Sequence, residues 1–320
     1  MKHPILRNPA DGRLRAGWRI LASLAILLAI STAIQMGIIA WAGGKPKTIA
    51  LLRNAMLISI AAAAATVAVP LARRFLDRRS FVSLGLKWDI DAVKDLLFGF
   101  FLSGFMAALF FAVVAIAGLI EVSGWNWGGG GADDPGTIVG SLTRTGIISL
   151  GFMLLLHAIV SWWEEIVFRG YLFQNMIEGM GLAVAIAISC ILYGLVHSTN
   201  PNAGLLSSAI IMLFGYLRIF GYLATARLWL SMGMHLGWNF FQGPVFGFAA
   251  SGVETPHLIA HSPVGPDWLS GGAFGPEGSV LIIPILALAL AAMRWWGARA
   301  EGIVPDIERP KPAAAGSPNA

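Results

Sequence analysis

The chain has 320 residues, of which 57% are hydrophobic and only 12% charged, with a formal net charge of +5. A soluble domain carries roughly 25% charged residues, so this composition excludes an ordinary soluble globule and a disordered chain. A single cysteine, Cys190, excludes an internal disulfide and a cysteine-built metal framework.

Eight apolar stretches follow one another, at 20–42, 55–72, 96–120, 146–168, 180–200, 204–224, 228–249 and 280–296. They are continuously apolar rather than alternating, and a bilayer span needs about 20 such residues. The pattern predicts an all-α, polytopic membrane helical bundle of about eight transmembrane helices. A basic segment, 1–19, leads into the first stretch, which is longer than the apolar core of a signal peptide. It is expected to be retained as a span, although Ala40-Trp41-Ala42 offers a small-residue cleavage pattern.

The segment 73–95 interleaves Phe, Leu and Trp with charges, which suits either the anionic membrane surface or a plain solvated loop. GGGGADDPG at 128–136 reads as a flexible external loop, because no Gly-Lys-Ser/Thr follows it and no strand precedes it. The Pro- and Ala-rich tail, 301–320, reads as disordered. No internal repeat of the kind found in many transporters is visible. The expected organisation is the basic segment 1–19, one transmembrane domain over 20–300, and the tail.

With the N-terminus in the cytoplasm and strict alternation, 18 of the 22 Lys and Arg fall on one side. Lys45, Lys47, Arg53 and Arg144 fall on the other. This positive-inside asymmetry predicts that both termini are cytoplasmic.

Of the 17 acidic residues, only Glu164 and Glu165 lie within an apolar stretch, in HAIVSWWEEIVFRGYLFQ. An intramembrane carboxylate is expensive and reads as functional by default. Adjacent helical residues point about 100° apart, so the two glutamates are not expected to share a partner. Arg169 shares the face of Glu165. Glu164 has Phe168 at its i+4 place, so it is left unpaired and suited to general acid–base work. The plain alternative is two interfacial glutamates flanked by the belt residues Trp162 and Trp163.

Three histidines, His3, His257 and His261, lie in a tail or loop and read as incidental. His197 ends the fifth stretch, and His235 lies in LWLSMGMHLGWNFF with Asn239 four residues on. Gly233 and Gly237 flank His235 with the small-xxx-small spacing that admits a close helix. His157, two turns before Glu164, reads as packing or as support behind the site. Taken singly, His197, His235 and Asn239 are equally well explained as interhelical hydrogen bonds. Together with Glu164 they form a candidate hydrolytic set. A Glu–His pair can activate water, and a His and an amide at i,i+4 can donate to one oxyanion. Glu and two His can equally hold zinc in a three-ligand site. No H-E-x-x-H, G-x-S-G or G-x-G-D occurs, which sets aside the protease types built on them.

Glu164-Glu165-x-x-x-Arg169, Tyr193-x-x-x-His197 and His235-x-x-x-Asn239 occur in that order within or at the ends of apolar helices. Over roughly 146–249, about a third of the chain, this resembles the CPBP family of CAAX prenyl endopeptidases and bacteriocin-processing membrane proteases, also called the Abi family. The resemblance implies a glutamate-dependent or metal-dependent endopeptidase with its protease core at 146–249. It implies Glu164 as the water-activating base with His197 assisting, His235 and Asn239 on the oxyanion, and Glu165 with Arg169 holding the site together. The cofactor is either zinc, on Glu164, His197 and His235, or none. Tyr193 departs from the pattern, since Phe is commoner there. The extra N-terminal spans and FGPEGS at 274–279 look like bacterial members. They imply the bacterial inner membrane and point away from a prenylated substrate.

The expected partners are a peptide or membrane-anchored protein substrate and the lipid bilayer, with no nucleic acid; nothing in the sequence sets an oligomeric state. Two other readings use the same residues. One is a non-catalytic immunity or partner-binding protein, and the other is a proton-coupled transporter working through Glu164 and Glu165. Strict alternation also creates a conflict of depth. It puts His197 near the outer end of its span, and Glu164 and His235 nearer the inner side. Either the fourth stretch is a long tilted helix reaching about residue 178, or the stretch at 204–224 is broken or re-entrant.

Overall fold

The computed structural model describes residues 5–9, 11–42, 50–127 and 146–299. The loop at 128–136, the tail at 301–320, His3, Lys45, Lys47 and Arg144 lie outside them. All eight apolar stretches are helical: α1 (Ala16–Trp41), α2 (Ala50–Phe75), α3 (Ile90–Ile116), α4 (Ile147–Met180), α5 (Leu182–His197), α6 (Leu205–Thr225), α7 (Trp229–Phe240) and α8 (Ile282–Arg299). Six of them, all but α5 and α7, are long and apolar enough to cross a membrane. Their outward faces are apolar, as at Leu28, Phe101, Phe105, Leu155 and Leu288. That is the inverse of a water-soluble bundle and fits a hydrocarbon surround.

Local chemistry sets the helix limits. Asp89 starts α3 six residues before the apolar run, because its Oδ1 accepts the Ala92 N–H at 3.0 Å. At the start of α4 the Ser149 hydroxyl accepts the Gly146 N–H at 2.9 Å, and Ser207 does the same for Gly204 before α6 at 2.8 Å. Gly181, at φ +81°, ends α4 where an L side chain would be strained.

The conflict of depth is resolved by α4. It runs to Met180, 34 residues in all, and puts Glu164 at its midpoint. Its stretch Glu165–Leu172 is a π-helix, a form frequent at functional sites. The re-entrant alternative falls, because α6 is a continuous helix of 21 residues.

Helix α7 is the inner wall, packed on α3 backbone to backbone. A Cβ on Gly233 would strike the backbone of Leu96, and one on Gly237 that of Phe100. The close approach expected from this glycine spacing is therefore present. His235, two residues after Gly233 and about 200° round the helix, faces away from α3 and towards α4. Two hydroxyls fix α7 laterally: Ser103 donates to the Met234 carbonyl at 2.8 Å and Ser161 to that of Met232 at 2.7 Å. One element outside the all-α expectation is a short antiparallel ribbon, β1 (Ile120–Trp125) with β2 (Ile259–Pro263), pairing Ile120 with Pro263 and Trp125 with Ile259.

Candidate active site

The middle of α4, the end of α5, the middle of α6 and α7 converge on one cavity of about 740 Å³. Glu164, His197, His235 and Asn239 all line it, as do Tyr193, Arg218, His157 and Glu277. The sequence-derived set is therefore brought together around one void.

Glu165 is fully buried and saturated. Its Oε1 takes the Arg169 guanidinium at 3.3 Å and His235 Nδ1 at 2.9 Å, and its Oε2 accepts the Ser231 hydroxyl at 2.6 Å. The Glu165–Arg169 pairing expected from i,i+4 spacing is present. Glu164 faces the cavity with its side chain 12% exposed. Its Oε2 accepts the Tyr193 hydroxyl at 3.1 Å and lies 3.8 Å from His235 Nε2.

Two expectations need correction here. The adjacent glutamates do share a partner: the His235 ring lies between them, Nδ1 towards Glu165 and Nε2 towards Glu164. Imidazole has two nitrogens on opposite edges, so side chains about 100° apart on one helix can both face a single ring. Nor is Glu164 isolated. Arg218 donates to the Tyr193 hydroxyl, which in turn donates to Glu164. Arg169 also lies over the Tyr193 ring, 4.1 Å from its centroid. Two carboxylates and two guanidiniums thus balance in a buried site, as a low-dielectric interior demands.

Arg218 is one of the 18 Lys and Arg on the cytoplasmic side of the positive-inside count, and that count does not mark it as a site residue. It lies two turns inside α6 and is buried, as is Arg169. Both belong to the site and not to the positive-inside tally. The signal was available, because Arg218 sits in an apolar run just as the glutamates do.

His197 donates through Nδ1 to the Tyr193 carbonyl, 2.9 Å away, and its ring packs on Tyr193 at 4.4 Å. A backbone carbonyl can only accept, so Nδ1 carries a proton, and the neutral ring then has its lone pair at Nε2. His197 and Asn239 share the cavity wall with Glu164. Glu277, in FGPEGS, is buried under the same cavity. It accepts the Trp238 indole N–H at 2.9 Å and the backbone N–H and hydroxyl of Ser251 at 2.8 and 2.6 Å. It anchors the loop after α7 to the cavity wall. Lying between apolar runs, it carries no sequence signal that separates it from an ordinary loop carboxylate.

The residues do not fit a metal well. Among the described residues no group of three His, Cys, Asp or Glu is placed to hold an ion. His235 Nδ1 and both Glu165 oxygens are already bonded, and two guanidiniums sit beside the carboxylates. The conditional zinc set Glu164, His197 and His235 therefore does not assemble as a ligand group.

The architecture is that of a multi-pass helical membrane protein with a buried, charge-balanced polar site opening on a cavity. Comparison with known families narrows this further. Residues 146–241 match the family model described as type II CAAX prenyl endopeptidase Rce1-like. That stretch holds all three motifs, and the match supports the CPBP/CAAX protease family that they resemble. No curated protein and no solved structure matches the chain.

Proposed function

We propose that the protein is an intramembrane endopeptidase of the CAAX type, cleaving a membrane-associated protein or peptide by a metal-free glutamate mechanism. Glu164 accepts a proton from a water molecule as the water oxygen attacks the scissile carbonyl carbon. His197, with its Nε2 lone pair, assists that proton removal. The oxyanion takes hydrogen bonds from the Asn239 carboxamide and from His235 Nε2. Glu165 accepts from Nδ1 and so fixes the His235 ring, and donation from Nε2 is the work of its doubly protonated form. Glu164 then passes its proton to the leaving nitrogen as the C–N bond breaks, which balances the step.

The observation that carries this reading is Glu164 itself, a carboxylate held at one oxygen by Tyr193 while its side chain lines a cavity shared with His197, His235 and Asn239. The cavity walls are otherwise apolar, with Leu57, Ile58, Met153, Leu156, Val160 and Ile211, which suits a lipid-associated peptide. Residence in a bacterial inner membrane is part of the same proposal and rests on the likeness of the N-terminal spans and FGPEGS to bacterial members, while the cytoplasmic placement of both termini rests on the distribution of Lys and Arg.

The test uses the full chain in proteoliposomes and two internally quenched peptides with CAAX termini, one farnesylated on its cysteine and one not. Glu164→Ala and Glu164→Gln are expected to lower cleavage by about 100- to 10,000-fold while the protein stays folded in the membrane. Full cleavage by Glu164→Ala removes this residue from the mechanism. Preference between the two peptides reports whether a prenyl group matters.

A further inference from the structure

The cavity wall carries polar groups that this reaction does not use. His157 lies on α4 two turns before Glu164, lines the cavity and is only 7% exposed. Neither of its ring nitrogens has a hydrogen-bond partner among the described residues. The same holds for Trp163 Nε1 and Thr255 Oγ1, both buried atoms of cavity-lining residues. By contrast, Glu164, Glu165, His235, Arg218 and Tyr193 are bonded to one another.

A buried imidazole with two unmet nitrogens weakens the folded state. If His157 only filled space, an apolar side chain would serve better, as Met153 and Leu156 do on the same wall. The torsion that turns an imidazole about its ring bond is broad, so a nitrogen can swing to a ligand without repacking α4. A neutral imidazole offers one donor and one acceptor, and so does each main-chain unit of an extended peptide. A hydrocarbon chain satisfies neither. Trp163 adds a donor, and Thr255, on the loop anchored through Ser251 and Glu277, adds a hydroxyl.

We propose that His157, with Trp163 and Thr255, forms a subsite that binds the main chain of a peptide beside the scissile bond. This deepens the proteolytic reading and rests on it. His157 is the specificity-determining member, because its two nitrogens are matched only when a peptide lies along the wall.

The experiment uses the same farnesylated and unmodified quenched peptides with the full chain in proteoliposomes. His157→Phe and His157→Leu are expected to raise KM about tenfold with kcat changed less than about twofold, and His157→Gln to recover most of the loss. Peptide affinity is measured in the Glu164→Ala background, where the same tenfold weakening is expected. Thermal midpoints of the apolar variants should equal or exceed that of the wild type, since an unmet polar group has been removed. A lower midpoint for both apolar variants means the imidazole is a structural bond, and overturns the subsite. Unchanged KM and affinity overturn it too, even where Glu164→Ala is inactive. Cleavage retained in Glu164→Ala alongside a weakened His157→Phe sinks the glutamate mechanism and leaves the subsite standing. A wild-type protein that neither binds nor cleaves either peptide overturns both.

Discussion

Two clusters of buried charge hold this bundle together, and they differ in one respect. The first ties α1, α2 and α4 at the end where α1 begins. Asp77 there receives Arg19 and Arg73, each at 2.8 Å, with Tyr171 and the Asn175 amide each at 3.2 Å. Glu178 receives Arg19, Arg13 and Arg79. The second surrounds the cavity. There Glu165 takes three donors against the four on Asp77, but among the described residues Glu164 has a single hydroxyl donor and cavity space beside it. Burial and charge alone do not mark a reactive group. A carboxylate surrounded by donors is a clamp, whereas one with spare acceptor capacity facing a cavity can take a proton. The same contrast separates the two neighbouring glutamates of one helix.

The largest effect expected from breaking this contrast is at Asp77. Asp77→Ala leaves Arg73 buried without its ion-pair partner and Arg19 with Glu178 alone, a class of change that costs about 3–5 kcal/mol. Thermal unfolding of the purified protein should show a large drop, and abundance in the membrane should fall. The fraction that folds should cleave at the wild-type rate per molecule. Glu164→Gln should do the opposite, keeping stability while losing the reaction. A stable Asp77→Ala protein, or one folded but catalytically dead, would erase the distinction between the clusters.

Much of this division was legible in the sequence, and the losses have physical causes. Uninterrupted apolar runs located all eight helices, because hydrocarbon forces every backbone group into internal hydrogen bonds. The rarity of acids in those runs found Glu164 and Glu165. What could not be read was how side chains meet across helices. Tyr193 was visible only as the aromatic before His197, yet its hydroxyl bridges Arg218 to Glu164. Asp77, Glu178 and Glu277 read as loop or helix-end acids because the runs around them are short or broken, whereas tertiary packing buries Asp77 and Glu277 completely. Arg218 was hidden by counting positive charge only for orientation. A cation inside an apolar run asks for a counter-ion as urgently as an anion does.

Tyr193→Phe gives a smaller and sharper test, since it removes one oxygen and leaves the ring under Arg169. Loss of a single hydrogen bond to a charged group is worth about 1.5–3 kcal/mol. Some of that is recovered, because Glu164 borders a water-accessible cavity. A fall in kcat of about tenfold is expected, with KM nearly unchanged and the protein still folded. If kcat does not move, the Arg218–Tyr193 chain serves packing only, and Glu164 needs no orientation from it. If the protein fails to fold, the hydroxyl belongs with the clamps.

The smallest expected effect lies outside both clusters, at the start of α3. The Arg227 guanidinium grips both Asp89 oxygens, at 2.6 and 3.1 Å, and the Ala92 N–H adds a third donor. The Arg227 hydrogen bonds, followed by that backbone bond, hold the Asp89 carboxyl well below the usual carboxylate range. A group whose folded pKa is depressed adds stability above its unfolded pKa and loses it as pH falls towards the folded value. The contribution should therefore be complete at neutral pH and fade below about pH 4. Because Asp89 is partly exposed, salt should screen it as well. Asp89→Asn keeps an N-cap side chain and removes only the charge. Its thermal midpoint should lie slightly below that of the wild type at pH 7, and the gap should close on acidification or in high salt. A gap that does not narrow at all as pH is taken from about 5 down to about 2, or in high salt, would assign the difference to the cap geometry and not to the ion pair.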